Sequence, residues 1–319
     1  MVKQVNPLAS VTKRARIAAL AIALCALPVL ISACSAADDS GSDSGKPVVL
    51  TTFTVIADMV SNVAGDRVEV SSITKPGAEI HGYEPTPSDL KTAASADLII
   101  ENGLGLERWF EQFVEQSSAD FVALSDGVEP IAITGDSEYA GLPNPHAWMS
   151  VSNAKIYIEN IRKALTDLDP SSARYFQKNA DEYSAKLSKV SDFVKADLAN
   201  LPASQRALVS CEGAFSYMAK DFGLEEAYLW PVNAEQEGTP QQIAETIEFV
   251  RDNEVPSVFC ESTVSDKSQQ QVASESGAEF GGVLYVDSLS EADGPVPTYE
   301  ELLRRDAETI VAGLSGGTE

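Results

Sequence analysis

The chain has 319 residues, 44% of them hydrophobic, and its 48 acidic residues against 23 basic ones give a formal net charge of −25. That length is enough for two domains with a core each, and the acidic field repels nucleic acid and anionic lipid headgroups while concentrating cations near the surface. Nucleic acid is therefore excluded as a partner, although most of the charge serves solubility.

Lys3, Lys13, Arg14 and Arg16 precede an apolar run from Ile17 to Ile31 that is too short and too rich in small residues for a comfortable transmembrane helix. The run closes in Ile31-Ser32-Ala33-Cys34, which resembles the lipobox of bacterial lipoprotein precursors, with isoleucine where leucine is commoner. The resemblance implies a signal peptide over 1–33, a lipid on Cys34 and a protein held on the extracytoplasmic face of the cell membrane. An ordinary secretory signal with an incidental Cys34 is the alternative. Residues 34–46, rich in Ser, Gly and Asp, have nothing apolar enough to bury and form a flexible linker.

From Pro47 onward apolar β-branched runs alternate with amphipathic segments. Strands are expected at Val48–Val55, Val68–Ile73, Leu98–Glu101 and Phe121–Leu124, with helices near Asp58–Ala64, after Pro87, and near Leu106–Gln116. The second half repeats the grammar. Strands are expected at Ala207–Cys211, Ala227–Trp230, Ser257–Cys260 and Val283–Val286, and helices near Ala214–Phe222, Gln241–Asp252, Asp266–Ser276 and Tyr299–Ala312. Strand-helix units of this kind build an α/β fold of two lobes, each a mainly parallel sheet flanked by helices.

Between them, Tyr175, Phe176, Ala180, Tyr183, Leu187, Val190 and Val194 recur at helical spacing, as one buried stripe. Asp169-Pro170 reads as a cap with proline at the first helical position, and Leu201-Pro202 as the stop. About thirty helical residues would run roughly 45 Å, enough to brace both lobes. The expected organisation is an N-terminal lobe over 47–168, one long linking helix over 169–201 and a C-terminal lobe over 202–319.

Only two histidines occur in the whole chain. His81 lies in Ile80-His81-Gly82-Tyr83-Glu84-Pro85-Thr86-Pro87-Ser88-Asp89, between a strand's carboxyl end and a helix that Thr86 and Asp89 can cap. His146 lies in Pro143-Asn144-Pro145-His146-Ala147-Trp148, followed by a cap candidate at Ser152. Glu212 ends a strand just before Gly213-Ala214-Phe215-Ser216-Tyr217, and Asp287 follows Leu284-Tyr285-Val286.

At these residues the chain resembles the metal-binding receptors of bacterial ABC importers, the cluster that handles manganese, zinc and iron. That family's pattern is a histidine followed by Tyr-Glu-Pro and a second proline, an Asn-Pro-His-x-Trp, a His or Glu before Ala-Phe-x-Tyr, and a late Asp after an apolar strand. Here His81, His146, Glu212 and Asp287 take those places in order. Ala78-Glu79 departs from the usual Asp-Pro, and Ser210-Cys211 before Glu212 leaves that loop's shape open. The resemblance covers essentially the whole mature chain. It implies a monomeric receptor that binds its ion between the lobes and delivers it to a membrane permease with a cytoplasmic ATPase. Two imidazoles and two carboxylates suit a first-row divalent ion. With Glu212 in the third place and no third histidine, Mn2+ is expected first and Fe2+ second, with Zn2+ the competitor.

Glu84 is expected to bond within its own loop, Trp148 and Tyr217 to pack beside the site, and Asp58 and Glu261 to be solvated acids or acids behind the ligands. Cys211 and Cys260 end neighbouring strands of one lobe and are expected to form a disulfide; two reduced thiols, or Cys211 as a soft ligand, are the alternatives. A metal-dependent hydrolase is the rival function, but no general base is evident and His-Glu-x-x-His spacing is absent. A surface adhesin fits the lipoprotein form and has no motif behind it.

Overall fold

The computed structural model describes residues 45–110, 117–134, 139–199, 201–202, 205–232 and 238–316. Cys34 and the expected signal lie outside them, as does the end of the helix expected to reach Gln116. In the N-terminal lobe, strands β1 (Val48–Thr51), β2 (Glu69–Ser72), β3 (Leu98–Glu101) and β4 (Asp120–Ala123) form one parallel sheet in the order β2-β1-β3-β4. Helix α1 (Thr54–Ala64) follows β1, and α2 (Pro87–Ala93) precedes β3.

The first strand is shorter than its β-branched run, because Thr54, Val55 and Ile56 open α1. All three are buried there with Met59, Val60 and Val63, so tertiary burial overrides strand propensity. Asp58 consequently sits mid-helix and away from any strand end. Its carboxylate accepts from Tyr299 N at 3.0 Å and Tyr183 Oη at 3.3 Å, joining three helices.

A short 3-10 turn at Ala147–Met149 leads into α3 (Val151–Leu168). Ser150, rather than Ser152, caps this helix: it has the extended backbone that capping needs and accepts from Asn153 N. Asp169 accepts from Ser171 N, but Pro170 opens a 3-10 turn, Pro170–Ser172, before α4 (Ala173–Leu198) begins. The 26 residues of α4 span about 39 Å at the standard rise. Its buried face, Phe176, Ala180, Tyr183, Leu187, Val190, Val194 and Leu198, packs on α1 of one lobe and on α8 (Tyr299–Leu314) of the other.

In the C-terminal lobe β5 (Ala207–Glu212) pairs in parallel with β6 (Glu225–Trp230), and β7 (Ser257–Glu261) with β8 (Glu279–Leu284). Between β5 and β6 runs α5 (Ser216–Phe222); α6 (Pro240–Asp252) and α7 (Lys267–Ser276) flank β7. The two pairs are separate ladders placed side by side. Three side-chain links close the seam. Cys211 and Cys260 form a disulfide, Gln269 Nε2 donates to both Val209 O (3.1 Å) and Phe259 O (2.8 Å), and Glu212 N donates to Glu261 Oε2 at 3.1 Å.

The last strand, β8, begins four residues before the expected Val283–Val286 and shares only Val283 and Leu284 with it. β8 carries Gly281, where a Cβ would come within 2.6 Å of Phe259, and the glycine pair breaks the apolar run between Phe280 and Val283 in this half-exposed segment. The ladder stops at Leu284 because Tyr285 N donates instead to Asp306 Oδ1 at 2.9 Å. Residues 285–287 are thereby freed from the sheet and pass across the cleft.

One continuous apolar core, containing Val49, Trp148, Phe176, Phe215 and Leu302, runs through both lobes. A smaller core lies on the outer face of each sheet. No described helix is long and apolar enough to cross a membrane.

Candidate metal centre

The loop after Ile80 is clamped on both sides of His81. Glu79 accepts from His81 N at 2.7 Å and from Gly82 N at 2.9 Å, and Trp109 Nε1 donates to Ile80 O at 2.9 Å. Downstream, Thr86 and Asp89 form the capping box of α2, and Tyr83 Oη donates to Asp89. Glu79, a departure from the family pattern, is thus what shapes the first loop, while Glu84 is exposed.

His146 is fully buried at the entrance to the 3-10 turn. Its backbone N donates to Asn144 Oδ1 at 3.0 Å, and its Nδ1 stands 2.8 Å from the same oxygen. Trp148 packs on the ring with centroids 5.2 Å apart and donates through Nε1 to Val286 O. Tyr217 Oη donates to Asn144 O at 2.8 Å, so both aromatic residues support the site from outside it.

Glu212 ends β5, and Gly213 follows under so close a roof that a Cβ would meet the Tyr228 ring at 2.8 Å. Asp287 lies beyond β8 in a segment docked on the N-terminal lobe: Gly77 N donates to Ser288 Oγ at 2.7 Å and Leu289 N to Thr54 Oγ1 at 2.9 Å.

These four side chains converge. His81 Nε2 and His146 Nε2 are 3.0 Å apart, and each lies 3.3 Å from Glu212 Oε1. Asp287 Oδ1 is 3.8 Å from the first imidazole nitrogen and 3.9 Å from the second. An ion about 2.1 Å from each of four donors would separate neighbouring donors by about 3.0–3.4 Å; the two imidazoles and Glu212 have that spacing, and Asp287 Oδ1 stands about half an ångström wider. The His81 side chain is 6% exposed and the other three are at 0%. A cavity of about 380 Å³, walled by Leu104, Leu106, Ile133, Leu142 and Val232, opens beside His81 and makes its side chain the one of the four nearest solvent.

Burial, with His146 as the second cause, holds the His81 imidazole well below its ordinary range, and burial alone brings His146 down to about 3. Both rings are therefore neutral, as metal ligation requires. Glu261, at 2% exposure, lies behind Glu212; burial first, then the neighbouring Glu212, pushes its carboxyl well above the usual range. It is neither solvated nor one of the converging four.

Residues 49–313 match the family model described as "ZnuA: Zinc-uptake complex component A periplasmic". The chain belongs to this family. Its members are metal-binding substrate-binding proteins of ABC importers, not enzymes, and they act with a membrane permease and an ATPase. The chain is 51% identical over 299 residues to the iron-binding protein YfeA of Yersinia pestis, covering 93% of this chain and 96% of that one. It is 37% identical over 308 residues to the manganese ABC transporter substrate-binding lipoprotein PsaA of Streptococcus pneumoniae, covering 94% and 99%. The Mn-bound periplasmic metal binding protein of Candidatus Liberibacter asiaticus superposes with a TM-score of 0.80 at 42% identity, over 84% of this chain and 100% of that one. The two-lobed fold with its long connecting helix is the family's.

Two contributors escaped the sequence. Asn144 stood in the Asn-Pro-His motif as part of the pattern, with no sign that its amide meets the other lobe. Glu79 looked like a deviation, and its signal was the acid two residues before a loop histidine, a spacing that lets a carboxylate cap the next backbone N–H groups.

Proposed function

We propose that this chain captures divalent manganese at His81, His146, Glu212 and Asp287 and releases it to an ABC permease, with Cys34 carrying the lipid that keeps it at the membrane. The observation that carries the reading is the convergence of two neutral imidazoles and two carboxyl groups, one pair from each lobe, on a space the size of one ion. Oxygen makes up half of that set, and a carboxylate can ligate through both oxygens, an arrangement that suits Mn2+ better than a three-imidazole zinc site does. Ferrous iron, with similar ligand preferences, is the second ion of the same site, and the iron-binding relative at 51% identity favours it. Zinc binds by the general rise of affinity along the divalent series, so selectivity rests on geometry and supply.

Metal analysis of natively purified protein, followed by competition between Mn2+, Fe2+ and Zn2+, tests the choice of ion. Glu212→Ala with Asp287→Ala tests the ligands: the double variant loses Mn2+ binding by more than about a hundredfold, as removal of half a ligand set demands. Retention of tight binding by that protein would sink the assignment. A Cys34→Ala chain is expected in the soluble fraction, and its recovery with membranes would count against the anchor.

A further inference from the structure

Asn144 belongs to the N-terminal lobe, yet its side-chain N–H groups go to the other one. Nδ2 donates to Gly213 O at 2.6 Å and to Ser216 Oγ at 3.2 Å. A backbone carbonyl only accepts, so the amide is fixed with its oxygen turned the opposite way. That oxygen faces His146 Nδ1 at 2.8 Å, and because it too only accepts, Nδ1 must carry the ring proton. Nε2 is left with its lone pair 3.3 Å from Glu212 Oε1.

Ser216 has one proton to give. It goes to Glu226 Oε2 at 2.6 Å, which keeps the hydroxyl's lone pairs toward Asn144. Burial pushes the Glu226 carboxyl up to about 7, and whether ionised or not it retains an oxygen able to accept from Ser216. Glu226 lines a cavity of about 520 Å³ distinct from the one beside His81, so it can be replaced without opening the shared core.

We propose that Glu226 is a positioning residue for the metal site: while the lobes are docked it acts through Ser216 and Asn144 to strengthen the hold on the His146 ring with Nε2 turned to the ion. The inference rests on His146 being a ligand. Its consequence is a release mechanism. Separation of the lobes withdraws Gly213 O and Ser216 Oγ together, leaves the Asn144 oxygen held by His146 N alone, and loosens the hold on the His146 tautomer as the carboxyl groups depart.

The test uses the mature full-length chain with Glu226→Gln, Glu226→Ala, Ser216→Ala and Asn144→Ala, read by Mn2+ affinity and by the ring-nitrogen shifts of His146 in metal-free protein. Asn144→Ala is expected to weaken Mn2+ binding by about 10–100-fold, and Glu226→Ala and Ser216→Ala by about three- to tenfold, each with His146 shifts moving toward a mixture of tautomers. Glu226→Gln keeps an acceptor oxygen and restores both readouts, which a purely structural role of the carboxyl would not produce. In an Asn144→Ala background Glu226→Ala adds nothing further. Unchanged shifts and affinity in Glu226→Ala and Ser216→Ala overturn the proposal, as does an equal cost of Glu226→Ala with and without Asn144. Should His146→Ala bind Mn2+ like the wild type, the ligand reading falls separately, while the metal-free shifts still judge the relay.

Discussion

The N-terminal sheet is held together by continuous backbone ladders, and the C-terminal one by side chains that bridge a gap. Four strands of the first share unbroken parallel ladders, with Val49 and Leu50 of β1 paired on both sides. In the second, β5 and β7 stand edge to edge and are held by the disulfide, Gln269 and Glu261. The lobes also differ in what they bring to the cleft: neutral imidazoles from one, carboxyl groups from the other. The lobe that supplies the counter-charge is the lobe whose sheet needs cross-links, and the cross-linked residues sit directly beside Glu212.

The largest expected effect therefore comes from the staple. The disulfide spans a sequence separation of 49, for which loop-closure entropy stabilises the fold by about 4 kcal/mol. Cys211→Ser with Cys260→Ser should lower the unfolding free energy by about that amount in denaturant titrations. Dithiothreitol should have the same effect on the wild type and none on the variant. Equal stability of the two proteins would mean the seam does not need its covalent link.

Gln269→Leu attacks the same seam without touching sulfur. It strands the Val209 and Phe259 carbonyls in a buried place, at a cost of about 2 kcal/mol. Hydrogen exchange should rise in β5 and β7 and stay flat in β1 and β3. A uniform rise across both lobes would erase the distinction between ladder and staple.

Most of the architecture was legible because buried strands declare themselves as apolar runs; Leu98–Glu101 appears in the structure with the bounds its sequence suggests. The misplacements have physical causes. Thr54 and Val55 look like strand because their burial is that of a helix packed in the shared core, and burial is not periodic at so short a range. The first four residues of β8 were hidden by Gly281 and Gly282, which serve close approach to Phe259 and α8 rather than strand propensity. The four converging residues could be read from motifs that stand in local sequence. What holds them could not: Asn144 meets Gly213 across 69 residues, and Ser288 meets Gly77 across 211. Partners so far apart leave no mark on spacing.

Glu79→Ala tests the N-terminal lobe's way of placing the His81 imidazole. The carboxylate holds His81 N and Gly82 N in a partly exposed loop, so its loss leaves these groups within reach of water and the fold nearly as stable. The loop's freedom should instead appear as about tenfold weaker Mn2+ binding with little change in Tm. A large fall in Tm with unchanged affinity would reverse the assignment, making Glu79 a residue of the fold and not of the site.

The smallest expected change is the sharpest check on the division of charge. His146 is held at about 3 and His81 well below its usual range, whereas both titrate near the ordinary value of 6.5 once unfolded. The unfolded chain takes those protons first, so the imidazoles' contribution to metal-free stability is complete above 6.5 and is lost as pH falls toward the folded values. Glu107 and Glu226, raised by burial to about 7, act in the opposite sense, so a melting curve sums the two and hides both. Ring-nitrogen shifts separate them. In metal-free protein the His81 and His146 nitrogens should keep their neutral values from about pH 7.5 down to about 5.5, while the urea-unfolded chain titrates between. A midpoint near the ordinary value for either folded histidine would place positive charge in the cleft before any metal arrives, and the N-terminal lobe would no longer be the neutral half of the site.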